Sequence, residues 1–218
     1  MKLKRPWTPY VCPFVVFIIL TAIGQYFPSL SYIFYVLKTL ITAALLFYFR
    51  REYQHDLNAC MDLRTWSESI FAGMVVLAVW ILSDNVFPHL GNPIGFDPAR
   101  FCLTPNSEMI VLSIRLLGAS IVVPIMEELF WRSFLMRYLI NPDFKAVSVG
   151  AFTWFSFLSV TILFGLEHYH VIQGIVAGLV FSLLVIHQKN LKGAIISHGI
   201  TNFGLGIYVL STGNWHFW

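Results

Sequence analysis

Apolar runs close to the length of a membrane crossing succeed one another through this 218-residue chain, with only short polar breaks between them. A helix needs roughly 20 apolar residues to traverse the hydrocarbon core of a bilayer. Seven stretches approach that length, at about 10–27, 30–49, 69–87, 108–130, 148–168, 171–188 and 193–211. The breaks carry turn formers: Pro28 with Ser29, Pro88 with Gly91, Asn92 and Pro93, Asn141 with Pro142, and Asn190 to Gly193. Composition agrees with that pattern. Charged residues make up 11% of the chain, against about 25% in an ordinary soluble domain, and the mean hydropathy is +0.72. The expected architecture is all-α, a polytopic transmembrane helical bundle of about seven spans in a lipid bilayer.

The pattern predicts one integral membrane unit in two parts, with N-terminal transmembrane helices and loops over 1–107 and a helical core holding the chemistry over 108–218. The basic, then apolar N-terminus resembles a signal peptide, but no small-residue cleavage site follows, which predicts a retained first helix. Cys12, Cys60 and Cys102 fit neither a disulfide framework nor a zinc knuckle. A net charge of +3 gives no support to a nucleic-acid partner. With the N-terminus cytoplasmic, the inner segments hold Lys2, Lys4, Arg5, Arg50, Arg51, Arg64, Arg132, Arg137, Lys145, Lys189 and Lys192, and the outer ones only Arg100. Cytoplasmic loops favour such charges, so the expected orientation is N-terminus in and C-terminus out. The polar segment 50–68 reads as a short amphipathic surface helix, and 88–107 as an outer loop.

Ionisable groups within membrane spans are costly and face a protein interior or a wet cavity. The fourth span carries Arg115, Glu127, Glu128 and Arg132; the fifth ends on Glu167 and His168; the seventh holds His198 and Asn202. Glu128 and Arg132 are four apart and share a helical face. Glu127 is rotated about 100° from its neighbour, so one acid is free for chemistry while arginine holds the other. Pro124 is placed to kink or start this helix beside Glu127. His198 and Asn202, also four apart, can donate together to a developing oxyanion. Lys38 reads as a snorkelling or paired lysine, Asp84 as solvated, and Glu167, His170, His187 and His216 as interfacial or loop residues.

The ordered set Glu-Glu-x-x-x-Arg at 127–132, Phe-x-x-x-His at 164–168 and His-x-x-x-Asn at 198–202 resembles the CAAX-processing and bacteriocin-processing (Abi) intramembrane endoprotease family, which includes small CAAX prenyl protease-related members. The resemblance spans about 108–211. Ser133 stands where family members often have glycine. The resemblance implies a bacterial plasma-membrane protein that cleaves a peptide bond near the C-terminus of a membrane-associated protein or peptide substrate, with or without a lipid group. Carried over by position, Glu127 would activate water, Arg132 would orient Glu128, His168 would place water or move a proton, and His198 with Asn202 would stabilise the oxyanion. The favoured mechanism needs no cofactor. Zinc held by Glu127, His168 and His198 is the alternative, although no His-Glu-x-x-His spacing is present. The rival functions are a non-catalytic adaptor or immunity protein of the same family and a proton-coupled transporter, the latter lacking visible repeat halves.

Depth sets a constraint on any shared site. If the fifth and sixth spans are full straight crossings, His168 and His198 lie about 30 Å apart. Convergence then demands a tilted or broken helix near Gly165, or a short sixth span, with Gly174 and Gly178 allowing close packing.

Overall fold

The computed structural model describes residues 5–91, 95–101 and 104–218. Lys2, Lys4, Cys102 and the Asn92–Pro93 break therefore lie outside the described residues. The described chain forms helices and no strand: α1 (Thr8–Tyr26), α2 (Ser31–Tyr48), α3 (Gln54–Leu57), α4 (Leu63–Leu82), α5 (Pro105–Tyr138), α6 (Trp154–Leu166), α7 (Val171–Gln188) and α8 (Leu191–Thr212). Six of these are long and apolar enough to cross a membrane, and α6 is a shorter apolar helix of 13 residues. A bundle of about seven spans is thus the architecture.

Local sequence explains where the helices begin and end. Asp62 accepts from the Thr65 N–H at 2.8 Å to start α4, and Thr153 accepts from the Ser156 N–H at 3.2 Å to start α6. Such caps satisfy amide groups that a helix start leaves without partners. α7 stops at Lys189 and α8 at Gly213, both with a left-handed backbone. Large apolar side chains such as Leu40, Phe71 and Phe155 point outward, while Asp56, Glu127, Glu128, Arg132 and Arg137 are buried. That inversion suits a lipid surround.

α5 departs most from expectation. The predicted span at 108–130 runs on as a continuous helix of 34 residues, about 51 Å at 1.5 Å per residue. It contains two π-helical stretches, Gly118–Val122 and Leu129–Leu135. In the first, the Val123 N–H reaches back to the Gly118 carbonyl. The next bond in that register would run from residue 124 to Ala119, and Pro124 has no N–H to give. Asn202 from α8 takes the vacated Ala119 carbonyl at 2.9 Å. Pro124 therefore neither starts nor breaks the helix; it frees an acceptor that ties α5 to α8.

The remaining packing places the chemistry. Thr201 of α8 donates to the Gly73 carbonyl of α4 at 3.0 Å, and a Cβ on Gly73 would meet the Ser197 carbonyl at 2.5 Å. α6 and α7 form a tight hairpin through Gly165, Gly174 and Gly178. The span expected over 148–168 begins only at Trp154, so α6 climbs about 20 Å. The turn at residues 167–170 lies level with the ends of α1 and α4: Gln25 Nε2 donates to Tyr169 Oη at 3.4 Å, and His170 Nε2 is 3.0 Å from Asp84 Oδ1. The fifth span, not the sixth, is the short one, and the two histidines converge, with the Phe164 ring 5.0 Å from that of His168 and 5.9 Å from that of His198.

Two further expectations change. Segment 50–68 is not a surface amphipathic helix: α3 is a single turn, and Asp56 within it is buried. Asp56 accepts from Tyr10 Oη at 2.7 Å, Ser133 Oγ at 2.7 Å and Arg137 Nη2 at 2.9 Å. Arg132, counted among inner-loop charges, lies inside the bundle with no exposed surface.

Candidate active site

The site is assembled from α5, the end of α6 with its following turn, and α8. Arg132 Nη1 donates to Glu128 Oε1 at 2.8 Å, both side chains fully buried. The same guanidinium donates to Ser182 Oγ at 3.3 Å and to the Gly178 carbonyl at 3.2 Å, and its Cζ lies 4.2 Å from the Phe164 ring centroid. A buried ion pair needs such additional partners to offset the loss of water.

His198 connects the two acids. Its Nδ1 is 3.0 Å from Glu128 Oε1 and its Nε2 is 3.9 Å from Glu127 Oε2. Arginine-paired Glu128 acts as an acceptor, so Nδ1 carries the proton and Nε2 is the atom that faces Glu127. Glu127 is buried, and its Oε2 has no hydrogen-bond partner within the protein. The 100° offset between the adjacent acids therefore does not send them to separate surroundings, because one imidazole reaches both.

His168 sits on the turn after α6 with Nδ1 2.8 Å from the Phe164 carbonyl. A carbonyl only accepts, which leaves His168 Nε2 as a bare acceptor. The Phe164 ring lies 5.0 Å from that of His168 and 5.9 Å from that of His198, so the motif phenylalanine packs against both imidazoles. Phe181 stacks on His198 at 4.9 Å. His168, His198 and Asn202 line one cavity of about 250 Å³ with Trp80, Arg115 and Thr201. Glu127 adjoins it through His198 Nε2.

A second cavity, of about 540 Å³, shares His168, Trp80, Arg115, Phe217 and Trp218 with the first. Three of its lining residues carry no role that the sequence announces. Lys38 is buried against the rings of Phe17 and Tyr35 and donates to Thr21 Oγ1 at 2.9 Å. Arg115 lies 4.3 Å from the rings of both Tyr35 and Phe96, with its Nε unpartnered. Glu167, expected in a wet loop, accepts from Trp131 Nε1 at 3.1 Å. The intramembrane cations were visible in the sequence, but their shared cavity was not.

The donor atoms of Glu127, His168 and His198 do not gather into a metal-sized group among the described residues. The group that does is Asp84, His89 and His170, elsewhere in the fold.

The fold and these contacts define a class: an integral membrane protein with an acid–arginine–imidazole cluster enclosed among its helices. Residues 110–204 match the family model of the type II CAAX prenyl endopeptidases, Rce1-like, a stretch that holds all three motifs and fewer than half of the chain's residues. The resemblance read from the motifs thus holds over that stretch, and the family is one of proteases. No curated protein and no solved structure gives a significant match.

Proposed function

We propose that this chain is an intramembrane endopeptidase that hydrolyses a peptide bond near the C-terminus of a membrane-associated protein. The observation that carries this reading is the single imidazole of His198 joining an unpartnered Glu127 to an arginine-locked Glu128, beside a cavity that His168 also lines. Glu127 takes a proton from water as the water oxygen bonds to the scissile carbonyl carbon. His168 Nε2, free to accept, holds that water in line. The second N–H of the Asn202 amide is available to the oxyanion. His198 joins it as a donor only when Nε2 is also protonated, since Nδ1–H is committed to Glu128. Collapse of the tetrahedral species breaks the C–N bond, and Glu127 returns the proton to the leaving amine.

Lys38 and Arg115 support a substrate that ends in a carboxylate. Among the described residues neither has a carboxylate within ion-pair reach, and both face the larger cavity next to His168. Two uncompensated cations at membrane depth are expensive unless an anion joins them. A free chain terminus supplies one, and it places the scissile bond a few residues upstream.

The test uses C-terminal peptides of membrane proteins, with and without a lipidated cysteine, in mixed micelles with purified protein and mass-spectrometric readout. The expected result is release of a short C-terminal peptide by the wild type and none by Glu127→Ala, with insertion unchanged. Equal turnover by Glu127→Ala, or no cleavage of any peptide by the wild type, overturns the proposal. Arg115→Gln is expected to raise KM for free-acid peptides while leaving hydrolysis of C-terminal amides unaltered.

A further inference from the structure

Away from Glu127 and Glu128, three of the chain's seven histidines converge on one carboxylate. Asp84 stands just after α4, His89 in the loop that follows, His170 immediately before α7, and His216 in the C-terminal turn Trp215–Phe217. Asp84 Oδ1 is 3.0 Å from His170 Nε2 and 3.2 Å from His89 Nε2. Its other oxygen, Oδ2, is 2.9 Å from His216 Nε2. Asp84, expected to be solvated, keeps only 13% of its side chain exposed. The surroundings, not the amino-acid neighbours, set its character.

The spacing has a chemical meaning. With bonds of about 2.0–2.2 Å from a zinc ion to nitrogen and oxygen, neighbouring ligands of a tetrahedral site lie roughly 3.3 Å apart. The two separations from Asp84 Oδ1 fall close to that value, and the ligand atoms of Asp84, His89 and His170 all lie within 4.8 Å of one another. His89 Nε2 is shielded from solvent and, although 3.2 Å from Asp84 Oδ1, makes no hydrogen bond. The rings of His89 and His170 converge with centroids 4.3 Å apart at 58°. Phe217 stacks on His170 at 5.5 Å, and Trp80 lies 6.0 Å away, giving the group an apolar flank.

We propose that Asp84, His89 and His170 bind one divalent transition-metal ion of the zinc class, with His216 orienting the ligand carboxylate from behind. Two imidazoles and a carboxylate suit zinc, cobalt, nickel or ferrous iron and disfavour magnesium and calcium, which take oxygen shells. A histidine on the far oxygen of a ligating carboxylate fixes its geometry in the way outer partners do in known metal sites. The ion would join the end of α4, the loop after it, the α6–α7 turn and the C-terminal tail. His170 lies two residues from His168, and His170, His216 and Phe217 line the larger cavity. Metal occupancy therefore fixes the turn that presents His168 and the wall beside it. The binding itself does not depend on the peptidase reading.

The experiment uses full-length protein purified through a histidine-free tag and stripped with chelator. Zinc is titrated by calorimetry, and cobalt by its visible absorption, which reports ligand number. The expected result is one ion per chain, a rise in the detergent melting temperature on adding zinc, and at least about tenfold weaker binding in His89→Gln and Asp84→Asn. Glu127→Gln and His198→Gln should bind as the wild type does. Should Asp84→Asn not fold, His89→Gln, on the more exposed edge, carries the comparison. No stoichiometric binding by the wild type would mean a hydrogen-bonded cluster only and overturns the proposal. Unchanged binding in His89→Gln, or its loss in Glu127→Gln, overturns it as well, the latter by moving the ion to the acid centre.

Discussion

At the scale of single residues, the two motif polar groups on α5 and α8 do more than their spacing suggests. Arg132 holds Glu128 and also reaches Ser182 and the Gly178 carbonyl on α7, so its removal strands a buried carboxylate and two further partners. Arg132→Ala is expected to destabilise the protein by about 3–5 kcal/mol, read as a lower melting temperature in detergent, with activity lost in parallel. Lysine is no substitute, because its compact ammonium lacks the planar fork with which the guanidinium reaches all three acceptors. Asn202 fills the acceptor that Pro124 leaves open, so Asn202→Ala should lower stability by about 1–3 kcal/mol besides any effect on turnover. Pairing at four-residue spacing was legible in the sequence for Glu128 with Arg132. The partner of Asn202 was not, because it depends on a π-helical register that no periodicity announces.

Among elements, the α6–α7 hairpin and the foot of α5 decide whether the site assembles. A Cβ on Gly165 would meet the Ile175 side chain, with the Ile175 N at 2.8 Å and the Val171 carbonyl at 2.9 Å. Gly165→Ala is expected to cost about 1–3 kcal/mol through overpacking and to depress turnover by shifting His168, as a thermal melt paired with a peptide assay would show. At the foot of α5, burial pushes the Asp56 carboxyl up, but Arg137 and the hydrogen bonds from Ser133 and Tyr10 outweigh it and hold it below its usual 3.8. A depressed folded value stabilises above the unfolded pKa, about 3.9, and that contribution is lost as pH falls through the folded one. Asp56→Asn should therefore melt below the wild type at pH 7, with the gap closing as the pH is taken below about 4. A constant gap over that range would remove Asp56 ionisation as the cause.

For the whole molecule, the α6–α7 turn meets the ends of α1 and α4 on one face, through Gln25 with Tyr169 at 3.4 Å and Asp84 with His170 at 3.0 Å, and the C-terminal turn joins them there through His216. The proposed orientation puts Cys60 on the cytoplasmic side and His216 on the other. In a cysteine-reduced background, an impermeant maleimide should label Cys60, which is exposed, only from the inside, and a His216→Cys variant only from the outside. Labelling of both from one face would break the odd number of crossings.

The sequence alone determined that this is a polytopic helical membrane protein, because long apolar runs and scarce charge leave a chain no other way to satisfy its backbone in lipid. It also marked the acids, the arginine and the imidazoles of the three motifs as groups that had to find partners among the helices, while the partners of Asp56, Asp84 and Glu167 went unannounced. Tertiary structure decided who those partners are. A short α6, two π-helical stretches in α5 and glycine contacts between helices bring together residues far apart in the chain. Distance through space follows from helix length, phase and crossing geometry, and a motif spacing within one helix encodes none of these across helices.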